Sequence, residues 1–346
     1  MKLEIVRTSK PTDDSISLYF RKTGILEQYK AGQHALLSFK VNNEPFKRTY
    51  SFHTSPQQDK DAGITVRAIV GGLISNYLQS MKGSPEIVLE GVSGEFSIDP
   101  HTSNKRHLVM FAAGSGITPI MSILKTILYN EPHSAISLIY TNRSYSTIIF
   151  KDALLLLRRL FKERLKVYHI LTQEERVPAG FEVFYRGRPS KLIIKKMLKN
   201  ISDEIPNKVE YFLCGPSSLI KLIEETIYSV DAEAKIYKEH FFLPQEKQEF
   251  DFSNLPTREV SVHVKGEEKF LIVRSGKSIL QAAIDNSVKL PFSCTEGQCG
   301  TCRAQLIRGE VKLRRNHILS EDELKSGQIL LCQGFPTSDG IAIKSS

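Results

Sequence analysis

The stretch PFSCTEGQCGTC, residues 291–302, holds three of the chain's five cysteines. They form the pattern Cys294-x4-Cys299-x2-Cys302, and Cys332 follows after 29 intervening residues. Structural zinc sites usually combine two separate Cys-x2-Cys pairs, and a thioredoxin-like redox pair would leave Cys294 unused. A four-cysteine pattern with this spacing is instead typical of a [2Fe–2S] cluster, with buried unpaired thiols as the structural alternative.

Two glycines inside the loop fit the cluster interpretation. Gly297 and Gly300 let the backbone approach closely and direct N–H groups at negatively charged sulfides. The segment LPFSCTEGQCGTCRAQLIRGEV, with LLCQGFP further on, resembles the plant-type [2Fe–2S] ferredoxins over residues 258–346. The resemblance implies an α+β domain of the β-grasp type. The cluster ligands would be Cys294, Cys299, Cys302 and Cys332, with Arg303, Arg314 and Arg315 near the cluster or its rim.

Length and composition limit the remaining possibilities. A chain of 346 residues is too long for one compact core and predicts two or three domains. No stretch has the pattern of a signal peptide or a membrane span, so we expect a cytoplasmic protein. The net charge of +9 comes from scattered lysines and arginines without a nucleic-acid-binding motif. This pattern favours a role in solubility or an acidic protein partner over nucleic acid.

The character of the sequence changes along the chain. Short, partly alternating apolar stretches in residues 1–102 predict an antiparallel β-barrel. In residues 103–243, continuous apolar strands alternate with helical segments, which predicts a doubly wound parallel sheet covered on both faces. Residues 244–257 are polar, bracketed by prolines and aperiodic, as expected of an interdomain linker, and residues 258–346 complete a multidomain chain.

Three short motifs occur in order in the barrel segment. RTYS (48–51) is expected at the start of a strand, GGLISNYL (71–78) opens a helix, and GVSGEF (91–96) forms a tight turn. Ser75 is expected to cap the helix, whose first N–H groups would attract an anion. Taken singly, each motif also fits an ordinary edge strand, helix cap or turn.

Two further motifs mark the α/β segment. AAGSGITP (112–119) follows a buried strand and opens a helix, so Gly114 and Gly116 permit close approach of a phosphate to the helix start. The motif departs from G-x-G-x-x-G because Thr118 and Pro119 replace the later glycine, and Pro119 suits the first helical position. CGP (214–216) ends what we predict to be the last strand of the domain.

Together these motifs resemble the ferredoxin–NADP reductase superfamily. The resemblance implies that Arg48 pairs with the pyrophosphate of FAD, that Tyr50 packs on the flavin ring, and that Ser51 lies near its reactive N5 atom. The flavin site would also include Thr49 from the same strand, together with Gly71, Gly72, Leu73 and Ser75. The pyrophosphate contact favours FAD over the FMN used by the phthalate dioxygenase reductase type.

The same resemblance implies a nicotinamide site. Its expected residues are Gly114, Gly116, Thr118, Pro119, Cys214, Gly215 and Pro216. Glu239 is expected near the nicotinamide and Phe241 over the flavin, although core packing would also explain Phe241, and Cys214 could be a buried small residue. Catalytic roles are assigned to Ser51, Cys214 and Glu239.

The nucleotide preference depends on the turn TNRSYS (141–146). Arg143 could pair with a 2′-phosphate, with Ser144 beside it, and no acidic residue follows this strand to hold a ribose diol. The turn therefore favours NADPH over NADH. Arg143 could equally stack on adenine or be a solvated loop residue.

The chain has its reductase domains first and its ferredoxin domain second. This order resembles that of the reductase components of multicomponent oxygenases, in particular the phenylacetyl-CoA epoxidase and ring-hydroxylating types. The resemblance implies hydride transfer from NAD(P)H to FAD, then single electrons through [2Fe–2S] to an oxygenase. A stand-alone diaphorase or quinone reductase, and a redox-sensing electron carrier, are the alternatives.

Overall fold

The computed structural model describes residues 1–41, 44–70, 72–81, 85–174, 176–202, 209–240, 250–264, 266–292, 297, 300–316, 318–319 and 321–345. The chain divides into two compact units, Met1–Phe241 and Phe242–Ser346. The first unit contains a β-barrel followed by an α/β sheet, and the second contains a mixed sheet with one helix packed on it.

The N-terminal segment forms a small antiparallel barrel. Its elements are β1 (Ile5–Thr12), β2 (Ser15–Arg21), β3 (His34–Val41), β4 (Glu44–Ser51), β5 (Asp61–Arg67), α1 (Leu73–Ser80) and β6 (Ile87–Ser93). The strands pair in the orders β1-β2-β5 and β4-β3-β6, and bridges Phe52–Ile64 and Lys2–Val88 join both edges of these sheets. Alternate side chains of β3 enter the core because strand side chains alternate between faces.

A parallel sheet follows the barrel in the same unit. Its elements are β7 (His107–Ala113), α2 (Ile117–Asn130), β8 (Ala135–Asn142), α3 (Lys151–Leu160), β9 (Leu165–Leu171), β10 (Tyr185–Arg186), α4 (Lys191–Ser202), β11 (Val209–Gly215), α5 (Ser217–Tyr228) and β12 (Lys235–His240). The strand order is β10-β9-β8-β7-β11-β12, and every pair is parallel.

Helices cover both faces of this sheet. Leu108 and Met110 of β7 point to one face and pack in a core with α2 and α3. Val109 and Phe111 point to the other face and pack in a core with α4 and α5. A strand with apolar residues on both faces is what a doubly wound sheet requires, so the predicted fold class is confirmed for this unit.

The second unit is built on a mixed five-stranded sheet. Its elements are β13 (Arg258–Val264), β14 (Glu267–Val273), α6 (Ile279–Asp285), β15 (Arg303–Arg308), β16 (Val311–Leu313), α7 (Glu321–Lys325), β17 (Gln328–Leu330), β18 (Gly334–Pro336) and β19 (Ile341–Ser345). The sheet order is β14-β13-β19-β15-β17, and β16 pairs with β18. The parallel pair β13–β19 and the packed helix α6 agree with the predicted β-grasp domain.

Part of the predicted linker packs on the second unit. Residues 241–249 lie outside the described residues, but Phe252 is buried and its ring lies 4.8 Å from that of Phe335. The guanidinium of Arg314 lies 4.3 Å from the Phe335 ring centre and 5.3 Å from that of Phe252. The polar composition of this stretch did not predict a buried aromatic anchor.

Several local predictions were wrong. RTYS lies at the end of β4 rather than at its start, because β4 begins at Glu44. CGP does not end the last strand, because β12 follows β11 and pairs with it in parallel. Gly72, not Ser75, is the N-cap of α1, so Ser75 lies inside the first turn of the helix.

Candidate functional site

The order of the parallel strands creates a crevice between two of them. The chain runs from β7 outward through β8 and β9, then returns to the other side of β7 with β11. The connections therefore leave β7 and β11 in opposite directions. Ligands of doubly wound sheets bind at such a crevice, beyond the carboxyl ends of the two strands. The two predicted nicotinamide motifs, at Gly114–Gly116 and Gly215–Pro216, follow β7 and β11 and therefore flank this crevice.

Close backbone contact holds the two turns together. A Cβ atom added to Gly116 would lie 2.3 Å from the carbonyl oxygen of Cys214, and one added to Gly215 would lie 2.9 Å from Cβ of Ala113. Gly114 has a positive φ of 54°. Gly116 and Gly215 are therefore required by the approach of β7 to β11, and Gly114 by its backbone conformation, whether or not a nucleotide is bound.

Thr118, Pro119 and Pro216 shape the helix starts beside the crevice. Thr118 is buried, and its hydroxyl donates to the carbonyl oxygen of Ser115 at 3.1 Å. Pro119 is the third residue of α2, not the first as predicted, but it still lies in the first turn, where backbone N–H groups have no partner in the helix. Pro216 is the N-cap of α5.

The three predicted catalytic residues meet at one place. The Ser51 hydroxyl donates to Oε2 of Glu239 at 3.1 Å, which joins the end of β4 to β12. Cys214 and Glu239 are register partners in β11 and β12. Burial raises the pKa of the Cys214 thiol, and the negative charge of Glu239 raises it further.

A fourth residue, His34, completes this cluster. Its Nδ1 lies 3.4 Å from Oε1 of Glu239, and its Nε2 lies 3.1 Å from the hydroxyl of Ser93. His34 was missed by sequence reasoning, although its antiparallel pairing with both Ser51 and Ser93 could have indicated it. Glu239 is thus held by a hydroxyl on one oxygen and faces an imidazole with the other.

The RTYS strand presents its residues to two faces of the barrel. Tyr50 lies edge-on to Phe39, with ring centres 6.1 Å apart, and burial raises the pKa of its hydroxyl. Arg48 shares the face of Tyr50 by strand periodicity, and its guanidinium donates to the carbonyl oxygen of Lys47 at 2.7 Å. Thr49 lies between them, in register with Leu36.

The turn before α1 is the segment for which a pyrophosphate contact was predicted, and Gly71 lies outside the described residues. A Cβ atom on Gly72 would lie 2.5 Å from Oγ of Ser75, and that oxygen accepts from the backbone N–H of Ile69 at 3.2 Å. Ile69, Val70 and Leu73 are 44%, 102% and 48% exposed. Exposed apolar side chains around a close-packed turn are what the rings of a bound flavin nucleotide would cover.

The turn after β8 contains the predicted cation Arg143, and an anion that sequence reasoning missed, Glu174, contacts this turn from the turn after β9. Arg143 is exposed, and Ser144 is the N-cap of a short turn that Thr147 completes in a capping box. The backbone N–H of Tyr145 donates to Oε2 of Glu174 at 3.1 Å. Glu174 follows β9 in the sequence, so inspection of the β8 turn alone could not find it.

Two of the four predicted cluster ligands are described, Cys302 and Cys332, whereas Cys294, Cys299 and Phe241 lie outside the described residues. Both described thiols are buried, and their sulfurs lie 3.2 Å apart without a disulfide. Two sulfurs on one tetrahedral metal, with bonds of about 2.3 Å, would lie roughly 3.7 Å apart. At 3.2 Å the two sulfurs lie about 0.5 Å closer than that, so they would have to separate slightly to bind one iron of the predicted cluster.

Comparisons with protein families cover most of the chain. Residues 4–98 match the oxidoreductase FAD-binding domain, residues 110–225 match the oxidoreductase NAD-binding domain, and residues 262–337 match the 2Fe-2S iron-sulfur cluster binding domain. The chain is an NAD(P)H-dependent flavin and iron–sulfur reductase. These matches confirm the predicted ferredoxin–NADP reductase fold of this reductase. They also confirm its FAD-binding domain and its [2Fe–2S] domain. The NADPH preference and the roles of individual site residues stay predictions.

Relatives of the reductase share nearly its whole length. It is 27% identical to a subunit of the 1,2-phenylacetyl-CoA epoxidase of Escherichia coli (strain K12), over 99% of the chain and 96% of that protein. It is 25% identical to the glycine betaine monooxygenase reductase subunit of Chromohalobacter salexigens, over 91% of the chain and 87% of that protein.

The solved structure of phthalate dioxygenase reductase has the same fold. It matches with a TM-score of 0.63 at 21% identity, over 99% of the chain and 97% of that structure. In the described part of the reductase, every helix is too short or too polar to cross a membrane.

Proposed function

We propose that this reductase is the electron-donating component of a multicomponent oxygenase, of the phenylacetyl-CoA epoxidase or ring-hydroxylating type. The observation that carries the proposal is the order of three domains in one chain, which relatives named as an epoxidase subunit and a monooxygenase reductase subunit share over nearly their whole length. Those relatives are named for different substrates, so we assign the choice of substrate to the oxygenase.

The flavin, when bound, supplies the conversion between two-electron and one-electron transfer. The protein's own task at this site is to position the groups beside the crevice and to exclude water from it. Ser51 donates to Glu239 and so fixes the orientation of the carboxylate beside the crevice. Cys214 lies near the end of β11, beside the crevice, and its buried thiol stays protonated at neutral pH, since burial raises its pKa.

We assign the docking surface of the acceptor to the side of the cysteine loop. A Cβ atom on Gly297 would lie 3.0 Å from the carbonyl oxygen of Arg315, and one on Gly300 would lie 3.0 Å from Nε of Arg303. Both arginines therefore lie beside the loop that carries the cluster ligands. Arg315 is exposed, Arg303 pairs with Glu323 at 2.8 Å, and the guanidinium of Arg314 lies 4.3 Å from the ring centre of Phe335.

The first experiment separates the two electron-transfer steps. In Cys302→Ser, we expect reduction of ferricyanide, which accepts electrons from a flavin, to continue with NAD(P)H. Reduction of cytochrome c should be abolished, because a cluster ligand is lost. If both activities survived, the cluster would not lie on the electron path. If wild type reduced quinones rapidly but no oxygenase component, a stand-alone reductase would replace the proposal.

The second experiment tests the docking surface. Arg315→Gln should raise the KM for an isolated oxygenase component and weaken the salt dependence of electron transfer, because one attractive charge is lost. Ferricyanide reduction should not change. Lys289→Gln alters the same net charge on the same unit and should leave both rates unchanged. Equal effects of the two substitutions would contradict the assigned surface.

A further inference from the structure

The strand β9 (Leu165–Leu171) is paired along its whole length on one side only. It pairs with β8 from end to end, but on its other side β10 pairs with only its last two residues. On that side the carbonyl oxygen of His169 accepts from the N–H of Phe184 at 2.9 Å, and the carbonyl oxygen of Leu171 accepts from the N–H of Gly187 at 2.8 Å. In the described residues, the chain before Phe184 makes no backbone hydrogen bond with β9. The first half of β9 is therefore an open edge of the sheet.

The strand geometry determines which backbone groups this edge presents. Backbone groups point to the same side at every second residue, and those of His169 and Leu171 point toward β10. The groups of Val167 and Leu165 therefore point to that side as well. The N–H of Leu165 donates to the carbonyl oxygen of Phe161 at 2.8 Å. Within the part of the chain that the structure describes, the N–H and C=O of Val167 have no partner on this side, so they are available to an additional strand.

A groove runs along this open edge. Its volume is about 390 Å³, and it is lined by residues 165–169 of β9, by two cations at the end of α3 and by residues 182–184. Tyr168 and Phe184 give it aromatic walls, with ring centres 5.6 Å apart. His169 also lines the groove, and Nδ1 of its buried imidazole has no hydrogen-bond partner among the described residues. Apolar walls beside unpaired backbone groups match an extended peptide, which pairs through its main chain.

Cations lie on both faces of the sheet beside the groove. Arg158 and Lys162 line it from the side of α3, and Lys166 projects to the opposite face because successive strand side chains alternate. Among the described lining residues Glu182 is the single acid, so three cations and one acid give the lining a net charge of +2. The Arg158–Glu182 pair, at 3.2 Å, is weak because Glu182 is 80% exposed. These charges favour an acidic occupant over a second copy of this chain, whose groove carries the same charge.

We propose that the open edge of β9 binds an extended acidic segment of a partner protein, which adds to the sheet as a further strand. The main chain of the segment pairs with the N–H and C=O of Val167. Its side chains alternate between the two faces, so carboxylates meet Arg158 and Lys162 on one face and Lys166 on the other. At 3.3 Å per residue, about five residues of the segment cover residues 165–169.

This edge is separate from the nicotinamide crevice. It lies on the first half of β9, which is two strands outward from β7, whereas the crevice lies beyond the carboxyl ends of β7 and β11. A segment bound at the edge therefore leaves the crevice free. The inference does not depend on which acceptor receives the electrons, and the partner that carries the segment need not be that acceptor.

The test uses the holoenzyme and a fluorescein-labelled synthetic peptide of alternating glutamate and valine. Fluorescence anisotropy should show saturable binding that weakens as salt is added. A second peptide carries N-methyl groups at its central residues, which removes the main-chain donors and keeps every charge. We expect its affinity to be roughly tenfold lower, because the lost hydrogen bonds contribute about 0.5–1.5 kcal/mol each. Hydrogen exchange measured by mass spectrometry should show that the first peptide slows exchange in residues 165–169.

Two charge-reversal variants test the contribution of the groove. Lys162→Glu changes a side chain that is 79% exposed, so the fold should not be affected, and the affinity for the first peptide should fall about three- to tenfold. Lys195→Glu is the matched control, because it makes the same change at an exposed position of α4 that does not line the groove. It should lower the affinity less than about twofold. Hydride transfer from NAD(P)H should be unchanged in both variants.

Several outcomes would overturn the inference. Equal weakening by Lys162→Glu and Lys195→Glu would show that the peptide responds only to net charge. Equal affinity for the two peptides, or unchanged exchange in residues 165–169, would show that no strand is added at this edge. Sedimentation velocity tests the other occupant, since a dimer that forms with rising protein concentration and is dissociated by the peptide would assign the edge to a second copy of the chain.

Discussion

Substitution of Gly116 by alanine perturbs the contact on which the nicotinamide crevice depends. The added Cβ would lie 2.3 Å from the carbonyl oxygen and 2.6 Å from the carbonyl carbon of Cys214, and 2.9 Å from the backbone nitrogen of Gly215. All three atoms belong to the backbone of β11, which cannot rotate away as a side chain would. The turns after β7 and β11 must therefore separate by about 1 Å.

The cost follows from this displacement. Overpacking of a closely packed site costs about 1–3 kcal/mol, and contact with backbone on all sides places Gly116→Ala in the upper half of that range. For a unit of this size, each kcal/mol lowers the melting temperature by roughly 2–4 °C. We therefore expect a decrease of roughly 5–10 °C in the first unit. Misplacement of a bound nucleotide by about 1 Å should also lower its hydride-transfer rate about 10²-fold.

Flavin fluorescence reports on this unit directly, and the chain contains no tryptophan to interfere. Its increase on heating gives the melting temperature, and stopped-flow absorbance with NADPH and NADH gives the hydride-transfer rate. Gly91→Ala is the matched control, because a Cβ there has no atom within 4 Å and should cost less than about 0.5 kcal/mol. An unchanged melting temperature in Gly116→Ala, or equal decreases in both variants, would refute the reasoning.

Other regions give three further predictions. Burial alone would raise the pKa of Glu131, but hydrogen bonds from Arg106, Ser134 and Asn104 hold it below 4.5. Its stabilisation should therefore be present above about pH 4.5 and be lost as the pH falls further, since the unfolded state then binds the proton more tightly. Glu131→Gln should cost about 3 kcal/mol at pH 7 in urea titrations and flatten this acid dependence, whereas an unchanged acid profile would contradict the assignment. Phe252→Ala should destabilise the second unit by about 3 kcal/mol, seen as earlier loss of cluster absorbance on heating, with the melting temperature of the flavin unit unchanged. Cys214 should react with thiol reagents at pH 8 only as the protein unfolds, because burial raises its pKa; rapid labelling of the native enzyme would argue against its burial.

Local sequence patterns were sufficient for the fold class. Continuous apolar strands such as β7, with Leu108 and Val109 facing opposite cores, can only be buried on both sides, and this property is visible in the sequence. The cysteine spacing and the glycine turns were equally direct, because close approach of backbone to backbone or to a cofactor excludes side chains.

Residues that meet through strand pairing were harder to predict. His34 faces Glu239 only because antiparallel pairing aligns it with Ser51, and Glu174 reaches the turn after β8 only because parallel pairing continues past β9. Both contacts depend on register, which a single sequence specifies weakly. The wrong prediction of Ser75 as the N-cap of α1 had a different cause. The Ser75 hydroxyl lies within the first turn of the helix and accepts a hydrogen bond from the N–H of Ile69, which precedes it.

Anaerobic titration of the purified holoenzyme with NADPH and with NADH, followed by absorbance and by electron paramagnetic resonance, tests the central claim most directly. The account predicts flavin and [2Fe–2S] absorption in the oxidised protein, loss of both on addition of nucleotide, and a paramagnetic signal from the reduced cluster. In Cys302→Ser, flavin bleaching should persist without that signal. A wild-type protein that lacks either chromophore after reconstitution, or whose cluster stays oxidised while the flavin is reduced, would contradict the account.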